Sequence, residues 1–319
     1  MIELKPNTVL DTVSISKLQT ASCPRKYFWR YIMNLEPPGF STGQWFGAMA
    51  HVGLQIRLSG GNAKLAELAM RREDRKRLAD VEGISADLQI ELGIWRAIAP
   101  ALVEGFCAEH GTKMRLLKAE QEFQVKLPCG VIFRGKIDGL GTVGLDSALF
   151  EFKFLGRVDK TVFETMAFNG QVHSYVGALP AAKRPKKFAF CVIRKPGKWL
   201  KKGQTVPAFI EEIKADIKSR PEWYFAVWVQ DFTPGAVTDA LTDIYAATED
   251  LLGKYRQLAS PTMIADPTNW PRCDRQCQEY GSCSYLDLCK DPSHWQARAK
   301  TTYRPRKEQE FGVKGNSDE

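Results

Sequence analysis

The chain has 319 residues, 44% of them hydrophobic and 26% charged, with a net charge of +8. This is the composition of a globular protein large enough to bury one elaborated core or two small ones, and the basic balance favours a polyanionic partner. No apolar run approaches the ~20 residues a membrane span needs, and residues 1–20 lack a signal-peptide apolar stretch. Those patterns predict a cytoplasmic protein with no membrane partner.

In chain order, a first helix is expected to start after Ser14 or Ser16, either of which can cap it, and to run to about Ile32. Pro37–Pro38–Gly39 breaks the chain. A second helix is expected over about Thr42 to Leu58, carrying His51, and charged helical sequence follows to about Asp80. Leu88, Leu92, Trp95, Ala99, Leu102 and Phe106 then recur at helical spacing up to Gly111. Residues 115–127, 131–140 and 147–154 read as a strand meander turning at Pro128–Gly130 and around Gly141–Gly144. A helix over about 160–179, a strand at Lys187–Arg194, a basic loop at 195–203, a helix at 207–219, a strand at 222–230 and a helix at 235–258 complete the pattern. The cysteine-rich segment spans 268–290, and the polar residues 301–319 are expected to be disordered. No phosphate-binding G-x-x-x-x-G-K-[ST] loop is present in the sequence, so no ATP motor is expected.

Eight cysteines without a signal peptide argue against a disulfide framework. Cys107 and Cys191 lie in apolar stretches as packing residues, and Cys129 sits in a turn between Pro128 and Gly130. Five remain as metal-ligand candidates: Cys23, far from the others, and Cys273, Cys277, Cys283 and Cys289. The four tail thiols are sufficient for a local Zn2+ site. The alternative is a centre shared with Cys23, closing the chain on itself.

The second constellation lies between them. Strand periodicity places Glu151 and Lys153 on one face and turns Phe152 into the core. Antiparallel pairing about a turn near residue 144 would bring Asp138 opposite Glu151. Carboxylates suit hard divalent cations, and a lysine beside them suits activation of water and stabilisation of charge during phosphodiester hydrolysis. Acidic-x-Lys triplets also occur at Glu3–Lys5, Asp74–Lys76 and Asp216–Lys218, and what sets Glu151–Lys153 apart is its apolar flanks, Asp138 and the helix that follows. The competing reading is a structural ion pair within a meander.

Gly135–Lys136–Ile137–Asp138, Glu151–Phe152–Lys153 and Gln171–Val172–His173–Ser174–Tyr175, in that order, resemble the core of the PD-(D/E)XK nucleases, in particular the RecB-like exonucleases. Gly47–Ala48–Met49–Ala50–His51 is similar to the group's N-terminal histidine helix, and Lys118–Ala119–Glu120 to its accessory acidic position, with Glu122 as a substitute. The resemblance implies an α/β fold of restriction-endonuclease type. That fold has a mixed central sheet flanked by helices, an N-terminal helical insertion and a C-terminal segment stapled by an iron–sulfur cluster. It implies one domain over 1–300, with a helical subdomain at about 41–112, a nuclease core at about 113–260 and a cysteine segment at about 268–290. It implies Mg2+ or Mn2+ held by Asp138, Glu151 and His51, support from Glu120, catalysis assisted by Lys153, and DNA contacts from Gln171 and Tyr175. Cys23–Pro24–Arg25–Lys26–Tyr27, with Tyr280–Gly281 before Cys283 and Tyr285–Leu286–Asp287–Leu288 before Cys289, resembles the four-cysteine members of that group, the CRISPR-associated exonucleases among them. That implies a 4Fe–4S cluster on Cys23, Cys277, Cys283 and Cys289, with Cys273 as the alternative ligand.

The expected function is a metal-dependent deoxyribonuclease, an exonuclease on DNA ends or single strands, in a prokaryotic or phage-infected cell. Recombination or CRISPR-adaptation proteins are the implied partners. Basic loops and whichever of the aromatics Trp199, Trp223 and Tyr224 are exposed are candidates for contacting the strand, with core packing as the competing reading of each aromatic. The alternatives are a nuclease-fold DNA-binding subunit without significant turnover, and a zinc-dependent nucleic-acid-binding protein resting on the cysteine tail alone.

Overall fold

A computed structural model describes residues 4–79, 81, 83–166, 169–277 and 282–306. In chain order the strands are β1 (Thr12–Val13), β2 (Leu35–Glu36), β3 (Met114–Lys126), β4 (Ile132–Val143), β5 (Asp146–Leu155), β6 (Lys187–Arg194), β7 (Phe225–Asp231) and β8 (Arg304–Pro305). The helices are α1 (Ile15–Ala21), α2 (Pro24–Tyr27), α3 (Thr42–Leu58), α4 (Ala63–Leu78), α5 (Ala86–His110), α6 (Lys160–Met166), α7 (Gly170–Ala178), α8 (Val206–Ser219), α9 (Pro221–Tyr224), α10 (Pro234–Gln257), α11 (Pro261–Ile264), α12 (Leu286–Lys290) and α13 (Trp295–Thr302). Among the described residues no helix is long and apolar enough to cross a membrane.

The chain packs as two compact units, one of residues 40–121 and 136–240, the other of residues 1–39, 122–135 and 241–319. In the first, β5 is the centre of a mixed sheet, antiparallel to β4 and parallel to β6, and β6 is antiparallel to β7. Its apolar face carries Ala148, Phe150 and Phe152 of β5 and Ala189, Cys191 and Ile193 of β6. Onto it pack Phe46, Met49 and Ala50 of α3, Leu102 and Phe106 of α5, and Phe209 and Ile213 of α8. The opposite face meets α7, where His173 lies edge-on to Phe188 with ring centroids 5.8 Å apart. A mixed sheet flanked by helices, the expected fold class, is the result. The loop expected at 195–203 carries no helix or strand.

In the other unit the two ends of the chain pack on each other. Tyr27 stacks on Trp270 at 5.7 Å, Trp29 lies 5.1 Å from Trp295, and Arg25 Nε donates to the Trp270 carbonyl at 2.6 Å. The Tyr285 hydroxyl donates to the Leu35 carbonyl at 2.8 Å, and β2 pairs antiparallel with β8.

Three elements depart from the sequence expectation. The first helix, capped by Ser14, ends at Ala21 instead of continuing to Ile32. Pro24 has no N–H to carry the ladder through, so Cys23 becomes an extended N-cap for α2 and the chain continues as a wider π turn over Phe28–Ile32. The helix expected over 160–179 is two helices, α7 restarting where the Asn169 side chain accepts from Gln171 N and Val172 N. The start of the tail expected to be disordered is instead structured, as residues 301–302 close α13 and Arg304–Pro305 form β8. Residues 307–319 and the Tyr280–Gly281 pair lie outside the described residues.

Candidate active site

The site begins where β4 and β5 part. Their ladder runs from Val143 opposite Asp146 to Gly139 opposite Phe150, and one further step in that register sets Asp138 against Glu151. There a side chain serves as acceptor, since the Phe152 N–H donates to Asp138 Oδ2 at 3.0 Å. Two glycines of β4 allow a close approach to β3. A side chain at Gly139 would strike Leu116, and one at Gly141 would strike the Arg115 backbone.

Strand alternation then delivers the rest. Phe152 is buried on the helix-packed face, which leaves Glu151 and Lys153 together on the other. Glu151 is 2% exposed and its Oε1 contacts Lys153 Nζ, while Gln171 Nε2 of α7 donates to the same oxygen at 3.4 Å. Burial, and then the neighbouring Asp138 charge, push the Glu151 carboxyl above its ordinary range. Asp138 is likewise raised by burial, against the opposing pull of the Phe152 N–H and Lys153. Burial acts to lower Lys153, but Glu151 and Asp138 outweigh it and hold the ammonium more firmly protonated than usual.

His51 reaches the site from α3. Its Nε2 lies 3.1 Å from the Phe152 carbonyl and its Nδ1 3.8 Å from Asp138 Oδ2. Burial lowers its pKa to about 4, so the ring is neutral near pH 7 despite the opposing Glu151 charge. A carbonyl only accepts, which assigns the proton to Nε2 and turns a lone pair on Nδ1 toward Asp138. Two lone-pair donors then face each other, the arrangement a bound cation would relieve. Tyr175 is buried on the same face of α7, its hydroxyl raised by burial and by the Glu151 and Asp138 charges.

Six of the seven expected residues thus converge. Glu120 stands further out, half-exposed and paired with Lys136 at 2.8 Å; its charge acts on both His51 and Asp138. It takes a left-handed φ of 50° in the middle of β3. The sequence reading did not assign the Phe152 backbone any part. Both its N–H and its carbonyl belong to the site, and only the register could have indicated this. Among the described residues, no three His, Cys, Asp or Glu side chains stand close enough together to hold a metal ion. The donor chemistry nevertheless suits a hard divalent cation, with oxygen donors on Asp138 and Glu151 and a neutral imidazole nitrogen on His51.

The candidate cysteines lie in the other unit. Cys23 is buried, and Cys277, Cys283 and Cys289 are partly buried, all as free thiols. Burial raises Cys277, and the charges of Cys283 and Cys23 add to it; burial also raises Cys289, against hydrogen bonding from Trp29 and the Arg25 charge, with Cys283 and Cys23 again adding. The Cys277 thiol lies 3.7 Å from the Cys273 carbonyl. Trp29 Nε1 donates to Cys289 Sγ at 3.4 Å. Cys107 and Cys191 are the packing residues expected, their thiols raised by burial.

A carboxylate pair and a lysine thus meet at the parting of two strands, on a mixed sheet flanked by helices. The family model of the PD-(D/E)XK nuclease superfamily matches residues 12–290, and the chain belongs to that superfamily. Among solved structures it is similar to a protein of Eubacterium rectale provisionally named an exonuclease, at 10% identity and a TM-score of 0.42, over 76% of this chain and 80% of that one. It is also similar to a protein named SSO0001, at 14% identity and a TM-score of 0.29, over 76% and 84% of the two chains. No curated protein matches the sequence.

Proposed function

We propose that this nuclease-superfamily chain is a metal-dependent deoxyribonuclease, acting as an exonuclease on DNA ends or single strands in recombination, repair or phage DNA metabolism. The observation that carries the reading is the convergence of Asp138, Glu151 and Lys153 where β4 and β5 part, with His51 presenting a neutral ring beside them. Asp138, Glu151 and His51 would hold Mg2+ or Mn2+, with Glu120 supporting them; bound there, the ion supplies charge neutralisation and polarises the scissile phosphate. Lys153, kept protonated by Glu151, orients the attacking water and offsets developing negative charge. Gln171 fixes the Glu151 carboxylate, and with Tyr175 it forms the α7 edge that a DNA strand would meet.

Digestion of 5′- and 3′-labelled linear and circular DNA in magnesium tests this reading. Release of end label from linear DNA with circular DNA intact is the expected result. Retained binding without cleavage in magnesium or manganese would instead favour a binding subunit.

For the cysteines, the proposal is a 4Fe–4S cluster on Cys23, Cys277, Cys283 and Cys289. Its support is that Cys23 and Cys283 lie near enough for their charges to act on both Cys277 and Cys289. Anaerobically purified protein should be brown with visible absorption that Cys23→Ser abolishes. Colourless protein with stoichiometric zinc would sink the cluster in favour of the tail-only site.

A further inference from the structure

Beyond the catalytic groups, the same unit holds a cavity of about 320 Å3 lined by Val192, Arg194, Trp223, Ala226, Asp159 and Glu222. That volume lies at the small end of ligand pockets, which run from about 300 to 1,000 Å3. Its place relative to the site follows from the register. Lys153 pairs with Val192, and Val192 with Ala226, so the three form one row across β5, β6 and β7 with side chains on one face. At about 4.8 Å between strands, the pocket lies on the face of Glu151 and Lys153, about 5–10 Å to the side.

Its walls have a particular chemistry. The Arg194 guanidinium lies 3.6 Å from the centroid of the Trp223 ring, a stacked cation–π pair, and its Nη2 donates to the Val158 carbonyl at 2.6 Å. Its Nε–H is buried and has no hydrogen-bond partner among the described residues. With almost no accessible surface, that N–H is out of reach of a ligand in the cavity. Trp223 stays 48% exposed even with Arg194 against it and Arg220 at 5.6 Å, the latter held by both carboxylate oxygens of Asp216. Asp159 is occupied with Arg157 at 2.8 Å and with the N–H of Val162, and it and Glu222 give the lining an acidic side. Carboxylates disfavour a phosphate there but accept from amino groups. A flat, uncharged ligand whose edge offers donors fits the uncovered indole surface and the flanking carboxylates.

We infer that this pocket binds a nucleobase of the substrate strand, stacked on the part of Trp223 that Arg194 leaves uncovered, beside the reacting phosphate. At a rise of about 3.4 Å per stacked nucleotide, the base would lie about one to three nucleotides from the scissile bond. The inference rests on the nuclease reading for its substrate, yet it is tested without cleavage.

The test uses the full-length protein in calcium, titrating a fluorescent single-stranded DNA 20-mer and the same backbone with every base replaced by an abasic tetrahydrofuran. Wild type should prefer the base-bearing strand. Trp223→Ala should weaken that strand about 5- to 150-fold, the range found when one base-stacking aromatic is removed, while leaving the abasic strand unchanged. Trp223→Phe should restore most of the loss, and Arg194→Gln should also spare the abasic strand. Equal weakening of both strands would mean a backbone contact and overturn the proposal, as would no change in either. If the pattern holds and magnesium gives no cleavage, the nuclease reading fails and the base pocket stands; if cleavage proceeds and the pattern is absent, the reverse follows.

Discussion

Replacing Asp138 in two ways separates what its oxygen does for the fold from what its charge does. Asp138 Oδ2 accepts the Phe152 N–H at 3.0 Å, and the same carboxylate is raised above its ordinary range by burial. Asp138→Ala strands that N–H beside the sheet, at about 1–3 kcal/mol for a buried group left unpaired. Asp138→Asn keeps an amide oxygen as acceptor and removes a buried negative charge next to Glu151, so it should be neutral or stabilising in EDTA. At about 2–4 °C per kcal/mol for chains of 150–250 residues, thermal melts should place Asp138→Asn several degrees above Asp138→Ala. Both carboxyls have folded pKa values raised above their unfolded ones, so the protonated forms favour folding at low pH and that contribution is lost as pH rises through the raised values. Relative to Asp138→Asn, wild type should therefore lose stability over that rise. Equal melting of the two variants, or an Asp138→Asn protein well below wild type at neutral pH, would refute the reasoning.

Other groups give independent checks. His51 has its pKa lowered from 6.5 to about 4, so stability present above 6.5 should be lost as pH falls toward 4, and His51→Gln should remove that slope in EDTA melts. Magnesium should raise the melting temperature of wild type, by the equivalent of about 2.7 kcal/mol at 100 times its dissociation constant, and should not raise that of Asp138→Asn. Gly141→Ala drives a methyl into the Arg115 backbone, which cannot yield as a side chain would, and should cost about 1–3 kcal/mol or more in urea unfolding. Burial pushes Cys107 up to about 12 and raises Cys191 as well; native protein treated with iodoacetamide at pH 8 should leave both unmodified by mass spectrometry.

How much of this was legible in the sequence depended on whether the signal was local. Helix α3, with His51 on it, has the bounds expected for it, and the Ser41 side chain caps it by accepting from Gln44 N. The Glu151–Lys153 strand and its partner were readable from alternation and a turn at Gly144, because a period of two fixes faces without reference to the rest of the chain. Pro24 announced the break after α1, yet the apolar run to Ile32 masked it, since the π turn over Phe28–Ile32 buries the same side chains a helix would. Strand β7 starts at Phe225, three residues later than expected, because Pro221 at a helix N1 position and the aromatics after it form a single turn.

The parts that were not legible are those created by long-range pairing. That the Phe152 N–H serves Asp138, and that Arg194 lies against Trp223, follow from strand register and from the packing of β6 against β7, which no short window of sequence contains. The same holds for the cysteines. Spacing suggested a clasp between the two ends, but the Tyr27, Trp29, Trp270 and Trp295 cluster with Arg25 already packs those ends together. A metal centre there would reinforce an existing interface.

The most direct measurement is cleavage of end-labelled linear DNA by wild type and Lys153→Ala, side by side in magnesium, with circular dichroism confirming that both fold. Lys153 is the one cation contacting Glu151, among the described residues, and its removal takes away the ammonium that contacts this buried carboxylate. Magnesium-dependent cleavage by wild type, abolished by EDTA and lost in a folded Lys153→Ala protein, is the predicted result. Cleavage by Lys153→Ala at the wild-type rate would contradict the account.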